Sequence, residues 1–241
     1  MSDPSAPRTL CIDVGGTGLK AAVLDARGEL VADRVRVETP RPATPEAVVG
    51  AIEAIGKRLG DFERISVGFP GVVVGGVTMS APNLDGAWTD YRLADDLALR
   101  LGKPARVAND ADTHGLAAIE GKGVEMVITL GTGMGSALYV DGRCLWNLEL
   151  GRHPFEKGRC YEAGIGETER KRIGKKKWRR RVARVLAQLA ATFNFRKLYV
   201  GGGNAARLDP ADLPPNVVLV DNGAGLLGGL RLWDAQGAGT P

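Results

Sequence analysis

The sequence predicts an α/β fold built from two similar halves that face one cleft. Three observations carry this. Apolar strand-like runs alternate with amphipathic helical stretches along most of the 241 residues. Two segments, opening at about residues 9 and 125, share one plan of apolar strand, glycine-rich turn and second strand. The length suits one large core or two modest ones, and 44% hydrophobic with 25% charged residues are ordinary globular proportions. The likeness between the halves is one of pattern, not of residue identity.

The elements follow in order. Residues 1–8 read as a disordered lead-in. "TLCIDVGGTGLKAAVLD" is strand, turn and strand, and "GELVADRVRVETP" continues the hairpin. Pro40, Pro42 and Pro45 punctuate a linker, and Thr44 caps a helix that begins at Pro45 and runs to about Leu59. "RISVGFPG" is a buried strand, and "VVVGGVTMSAP" a hairpin about Gly75-Gly76. "YRLADDLALRLG" is an amphipathic helix closed by Gly102, and "PARVANDAD" a strand entering a loop. A helix over roughly 111–121 leads to "EMVITLGTGMGSALYVDGR", which repeats the opening plan and turns at Asp141-Gly142. Residues 147–168 have weak periodicity with many Gly and charged residues, and read as a functional loop. Trp178, Val182, Val185, Leu186, Leu189 and Phe193 share one helix face. "KLYVGGG" and "VVLVD" are strands, and "AGLLGGLRLW" is a last helix.

Charge is distributed unevenly. The formal net charge is +4, yet ten of the fifteen residues from Arg170 to Arg184 are Lys or Arg. Without those ten, 22 basic residues face 28 acidic ones. The chain is a slightly acidic body with one basic segment, and such clustering costs self-repulsion unless an anion relieves it. Polyanion, nucleic acid and a merely solvated helix face are all open readings of that segment. Cys11, Cys144 and Cys160 are odd in number and widely spaced, which argues against a disulfide framework. No run has transmembrane length, and "MSDPSAPR" lacks a signal-peptide core, so a cytoplasmic setting is expected.

Two glycine turns carry candidate chemistry. In "DVGGTGLK" the missing Cβ atoms let backbone N–H groups approach a phosphate, Asp13 can hold Mg²⁺ directly or through water, and Lys20 can meet a phosphate oxygen. It is not a Walker loop, which needs a helix and Gly-Lys-Ser/Thr. "LGTGMGS" is a second turn in a matching position. "VANDAD" sets Asn109 and Asp110 at a strand end, where a carboxylate can take a proton from a hydroxyl that Asn fixes. Asp112 suits the helix cap better, which leaves Asp110 for chemistry.

Taken in order, "DVGGTGLK", "GFPG", "NLDGAW", "NDAD", "GTGMGS", the Glu149 region, "KKKW" and "GGGNAA" resemble the ROK family of sugar kinases, most closely its polyphosphate glucokinase branch. The resemblance implies a two-domain actin/hexokinase-like (ribonuclease H-like) fold, with sugar and donor meeting in an interdomain cleft. It divides the chain into residues 1–110 and 111–241, the last helix, about 224–235, packing back on the first domain. By position, Asp110 resembles the catalytic base. Gly68 and Gly71 resemble the loop below the sugar, and Asn83, Asp85, Asn109, Glu149 and His153 its contacts. Asp13, Gly15, Gly16, Thr17 and Lys20 resemble the first phosphate loop, and Gly131, Thr132 and Gly133 the second. Gly201, Gly202 and Gly203 resemble the turn near a nucleotide base. Lys175, Lys176, Lys177, Arg179, Arg180 and Arg181 resemble a polyphosphate track.

The sequence departs from the family pattern in one place. Where the family reads Glu-x-Gly-His, "ELGRHP" puts Arg152 at the His position and His153 one residue later. Cys144 and Cys160 are too far apart for the zinc loop of many members, so no zinc is expected, and His114 reads as structural. The expected function is phosphoryl transfer from polyphosphate or a nucleotide to the 6-hydroxyl of glucose or a related hexose. Mg²⁺ would serve as cofactor, the family implies a homodimer, and neither a membrane nor a nucleic-acid partner is expected. Two alternatives stand beside it. One is a non-catalytic sugar sensor, against which the eight residues before the first strand leave no room for a helix-turn-helix. The other is a strictly ATP-dependent kinase for another sugar.

Overall fold

The computed structural model describes residues 6–220 and 224–234. The chain divides into two compact units, one ending at Ala117 and resuming at Gly225, the other spanning Ala118–Ala224. The division falls after Ala117, not at 110, so the helix that begins with Asp110 belongs almost wholly to the first unit.

The first unit contains β1 (Thr9–Val14), β2 (Gly18–Leu24), β3 (Val35–Glu38), α1 (Pro45–Leu59), β4 (Arg64–Phe69), β5 (Val73–Val74), β6 (Val77–Thr78), α2 (Leu93–Leu101), β7 (Ala105–Asn109) and α3 (Asp110–Ala118). Its sheet has the order β3-β2-β1-β4-β7, with β1 antiparallel to β2 and parallel to β4. β1 is buried on both faces except at Asp13, as a central strand requires. Thr44 Oγ1 accepts from Ala47 N at 3.3 Å, and Pro45 supplies the first turn of α1. Val48, Val49, Ile52 and Ile55 then meet the sheet, each worth about 1.5–3 kcal/mol when fully buried. Gly75 and Gly76 both have positive φ, the turn that joins β5 and β6.

The second unit contains β8 (Val124–Leu130), β9 (Met134–Val140), β10 (Arg143–Leu145), α4 (Tyr161–Ile165), α5 (Glu167–Ile173), α6 (Lys175–Phe193), β11 (Lys197–Gly201) and β12 (Val217–Leu219). Its sheet order, β10-β9-β8-β11-β12, repeats the first, with the same antiparallel hairpin beside two parallel strands. In α6, Trp178, Val182, Val185, Leu186 and Leu189 are buried, and Trp178 Nε1 donates to Ile165 O at 2.6 Å. Phe193 packs at the margin of this cluster.

α7 (Ala224–Arg231) returns to the first unit. Three glycines let it lie close. A Cβ at Gly228 would fall 1.6 Å from Thr113 O, one at Gly225 would touch the His114 ring, and one at Gly229 would crowd Cys11 and Ser66. Beyond it, Trp233 Nε1 donates to Ser66 Oγ at 2.8 Å, and the guanidinium carbons of Arg64 and Arg106 lie 5.0 and 4.5 Å from its ring centroid.

Some expectations change. Residues 147–168 are not a simple loop, since they hold a 3-10 turn at Leu150–Arg152, all of α4 and the start of α5. Such short helices show no period in sequence, and packing of Tyr161 and Ile165 holds α4 in place. Only Val35–Glu38 continue the first hairpin as a strand, and the helix read as 111–121 ends at Ala118. Residues 1–5 of the expected lead-in and position 235 of the last helix lie outside the described residues.

Candidate active site

The first glycine turn is held from one side. Gly15 N–H donates to Gly18 O at 3.0 Å, closing the hairpin. Thr39 Oγ1 donates to Gly15 O at 2.5 Å, and Arg41 Nη2 donates to Gly16 O at 2.6 Å. A planar trans peptide points its C=O and its N–H in opposite directions. Fixing these two carbonyls therefore aims the N–H groups of Gly16 and Thr17 away from Thr39 and Arg41. Among the described residues neither N–H has an acceptor. An anion is the natural partner for such a pair.

The second turn follows the same logic with different residues. Gly131 N–H donates to Gly133 O at 3.1 Å. The N–H of Glu167, at the start of α5, donates to Gly131 O at 3.1 Å and to Thr132 O at 3.2 Å, and Asn204 Nδ2 donates to Gly131 O at 3.2 Å. The N–H groups of Thr132 and Gly133 are turned the other way, with no acceptor among the described residues. The third turn, Gly201–Gly203, locks onto the second. Asn204 N–H donates to Leu130 O at 2.9 Å, and Gly202, at φ +85°, comes so near that a Cβ would lie 2.5 Å from the same oxygen.

Asp13 faces Lys20 across the β1–β2 ladder, and Lys20 Nζ stands 3.4 Å from Asp13 Oδ2. Among the described residues no three His, Cys, Asp or Glu side chains cluster as a metal cage. His114 is buried on α3, and burial holds its imidazole below the ordinary value against the opposing influence of Asp13.

Asp110 opens α3, where the helix N-terminus favours negative charge. Asp112 is not the cap. Asn109 Oδ1 accepts from Ala111 N at 2.8 Å and Asp112 N at 3.2 Å, while its Nδ2 donates to Gly71 O at 3.1 Å. Asn109 is thus buried and largely committed to holding the turn. Asn can cap a helix as well as Asp, and here it is nearer the helix start. Gly71 lies so close to Ser80 that a Cβ would sit 1.9 Å from its carbonyl oxygen, whereas Gly68 makes ordinary contact with Asp110 and Thr113. Asn83 is exposed and abuts Gly16. Asp85, assigned as a hydroxyl contact, accepts from Ala43 N at 2.9 Å and faces Arg41 at 3.4 Å.

In the second unit, Ser136 Oγ donates to Leu148 O and accepts from Leu150 N at 3.1 Å, which fixes the segment bearing Glu149. Burial raises the Glu149 carboxyl above its ordinary range, Arg152 pulls it back and Glu162 adds to the rise. Arg152 Nε stands 3.7 Å from Glu149 Oε2. His153 points elsewhere, its ring stacked on Tyr161 at 5.1 Å with Nδ1 2.9 Å from Pro154 O. Arg152, not His153, is therefore the residue beside Glu149. Glu162, which sequence reasoning missed, lies against the second turn, so that a Cβ at Gly133 would fall 2.7 Å from its carboxylate.

The basic segment is less free than its composition implies. Arg170 and Lys171 pair with Glu167, while Arg172, Arg159 and Arg181 converge on the buried Glu169. Arg181 and Arg184 hold Glu156, and Arg179 faces Asp209 and Asp212. Of the six expected track residues, Lys175, Lys176, Lys177 and Arg180 make no ion pair among the described residues. The three lysines form the exposed first turn of α6, which contains no acid.

The sequence model of the ROK family matches residues 9–149. The polyphosphate glucokinase of Mycobacterium tuberculosis is 34% identical over 205 residues, covering 81% of this chain and 77% of its own. The chain belongs to the ROK family. The polyphosphate glucokinase of Mycobacterium leprae is 31% identical over 214 residues, covering 84% of this chain and 65% of its own. The crystal structure of inorganic polyphosphate/ATP-glucomannokinase from Arthrobacter sp. strain KM superposes with a TM-score of 0.85 at 34% identity, over 93% of this chain and 97% of that one. A ROK family glucokinase from Streptomyces griseus, solved with glucose and AMPPNP, has a TM-score of 0.77 at 23% identity, over 93% and 98%, and shows the fold alone. The actin/hexokinase-like α/β fold expected of a ROK protein is the one found. Among the described residues no helix is long and apolar enough to cross a membrane.

Proposed function

We propose that this ROK protein transfers the terminal phosphoryl group of polyphosphate, ATP or both to the 6-hydroxyl of glucose or a related hexose. Its standing as a hexose kinase rests on relatives that align along most of its length. The observation that carries the chemistry is the pair of glycine turns, each with two backbone N–H groups held open for an anion. Phosphoryl transfer needs positioning and charge neutralisation more than covalent help, and such turns supply both.

Asp110 takes the hydroxyl proton and, before that, orients the oxygen. Asn83, Glu149 and Glu162 meet sugar hydroxyls, with Gly68 and Gly71 forming the floor and Asn109 setting Asp110. Arg152 takes the place that His holds in the family pattern. The turn at Gly15–Thr17 and the turn at Gly131–Gly133 grip donor phosphates, and the Gly201–Gly203 turn lies toward a nucleotide base. Asp13, directly or through water, would hold Mg²⁺, which would offset the charge of the donor phosphates. Lys20, whose Nζ stands 3.4 Å from Asp13 Oδ2, meets a phosphate oxygen of the donor. Lys175, Lys176, Lys177 and Arg180 meet the distal phosphates of a long donor. A homodimer in the cytoplasm is proposed on family likeness.

The test is hexose phosphorylation with ATP, GTP and polyphosphate in parallel. Sugar 6-phosphate is the expected product. Tight glucose binding without turnover on any donor would favour the sensor reading instead.

A further inference from the structure

We propose that Arg41 is a positioning residue of this site, setting the first glycine turn for phosphate and bracing it to the segment that carries Asn83. The proposal rests on the kinase reading of that turn. An exposed arginine paired with one exposed aspartate would ordinarily contribute little. Arg41 does more, because its fork reaches two elements. Nη2 donates to Gly16 O at 2.6 Å, and Nη1 faces Asp85 Oδ2 at 3.4 Å. The same Asp85 oxygen accepts from Ala43 N at 2.9 Å, two residues along from Arg41. Gly16 in turn abuts Asn83, with a built Cβ 3.7 Å from its carbonyl oxygen.

The peptide joining Gly16 and Thr17 is the lever. Its carbonyl is held by Arg41, so its N–H, on Thr17, points the opposite way. A guanidinium on that carbonyl also polarises the peptide and strengthens the N–H as a donor to an anion. Thr39 does the same for the peptide before it, without a charge. Arg41 thus acts on phosphate through the backbone. Its planar fork is what lets one side chain hold both Gly16 and Asp85, and an ammonium cannot reproduce that geometry.

The experiment is calorimetric binding of tripolyphosphate to wild type, Arg41→Gln, Arg41→Lys and Asp85→Asn, with Arg92→Gln as control. Arg92 is an exposed arginine of the same unit, paired with Asp95 at 2.6 Å. Arg41→Gln is expected to weaken tripolyphosphate by about tenfold, the scale of one charge-assisted hydrogen bond. Arg41→Lys should recover part of that loss, Asp85→Asn should lose less, and Arg92→Gln should match wild type. In turnover, the loss should fall on KM for the donor more than on KM for glucose. Unchanged binding in Arg41→Gln overturns the proposal, and so does an equal loss in Arg92→Gln, which would mean general charge. Should Arg41→Gln fail to fold, the Lys and Asp85→Asn variants carry the same comparison. A wild type that binds tripolyphosphate but phosphorylates no hexose would sink the kinase reading and leave this one standing. A wild type that does not bind tripolyphosphate overturns it.

Discussion

Arg181, within the basic run, donates to the carboxylate of Glu169, the one acid at the edge of that run. Glu169 also accepts from Arg159 and Arg172, each at 2.6 Å, so three guanidinium groups surround a side chain that is only 9% exposed. The pairs with Arg172, Arg181 and Arg159 hold its carboxyl down to about 2. A carboxyl lowered in the fold contributes stability above its unfolded value, near 4.5, and loses it as pH falls toward about 2. Glu169→Gln should therefore destabilise the protein at neutral pH, at the low end of about 3–5 kcal/mol, because the arginines keep partial access to water. Melting curves should converge with wild type between pH 4.5 and 2. Parallel curves at all pH values would mean that the charge of Glu169 does not matter.

The lysines at the start of α6 behave differently, since no acid offsets them. The helix N-terminus adds to their positive potential. Replacing Lys175, Lys176 and Lys177 together by Gln should raise KM for polyphosphate and leave KM for ATP nearly unchanged. On a coefficient of about 0.7 per contact, the log–log salt slope for polyphosphate should shrink by about 2. Arg181→Gln should instead lower the melting temperature, through Glu169 and Glu156. Equal losses for both donors in the lysine triple variant would return this turn to plain surface.

Asp110→Asn should cut kcat by about 10²–10⁴ with little change in glucose affinity, the range for losing a general base. The amide keeps the size of the side chain at the head of α3, so the fold should hold. Steady-state kinetics with calorimetry of glucose binding check this, and a near-normal kcat would remove Asp110 as base.

Much of this was legible in sequence because it is local. Glycine turns after apolar strands, the Thr44-Pro45 helix start and the Trp178 stripe each follow from a few adjacent residues. Hidden were the groups that act across distance in the chain. Thr39 and Arg41 sit in a proline-rich stretch that reads as a linker, yet they hold carbonyls of a turn more than twenty residues earlier. Glu167 and Asn204 hold the second turn from much later in the chain, Glu167 through a backbone N–H that no side-chain motif reports. Composition made Arg179 and Arg181 look free, because their partners Asp209, Asp212 and Glu156 lie outside the basic run. The repeated strand order of the two sheets was visible only as two similar openings, since the parallel strands that complete each sheet share no motif.

Glu149→Gln should weaken glucose binding by about 1–3 kcal/mol, the cost of a lost hydroxyl partner in a polar site. The same change should stabilise the protein at neutral pH. Burial raises the Glu149 carboxyl, so its ionised form opposes folding above that raised value. As pH falls through the raised value toward the unfolded 4.5, wild type takes up a proton and the advantage of Gln disappears. Calorimetry gives the first effect and melting at two pH values the second. A Gln variant with unchanged glucose affinity would withdraw Glu149 from the sugar site.

Two glycine-to-alanine changes should move stability in opposite directions. Gly50 lies within α1, and a Cβ there meets nothing within 4 Å. Alanine removes the entropic cost of glycine in a helix, so Gly50→Ala should gain about 0.5–1 kcal/mol. Gly228 lies within α7, where a Cβ would come 1.6 Å from the backbone oxygen of Thr113. A backbone atom cannot rotate aside as a flexible side chain can, so α7 has to lift from α3. That separation would also uncover His114, which packs against Gly225. Gly228→Ala should cost at least the 1–3 kcal/mol usual for an overpacked core, or roughly 2–4 °C of melting temperature per kcal/mol in a protein of this size. Because α3 begins at Asp110, turnover should fall as well, with kcat affected before donor KM. Differential scanning calorimetry of both variants, alongside kinetics of the second, makes the comparison. A Gly228→Ala variant that melts with wild type would mean that α7 does not pack on α3 as closely as these glycines indicate.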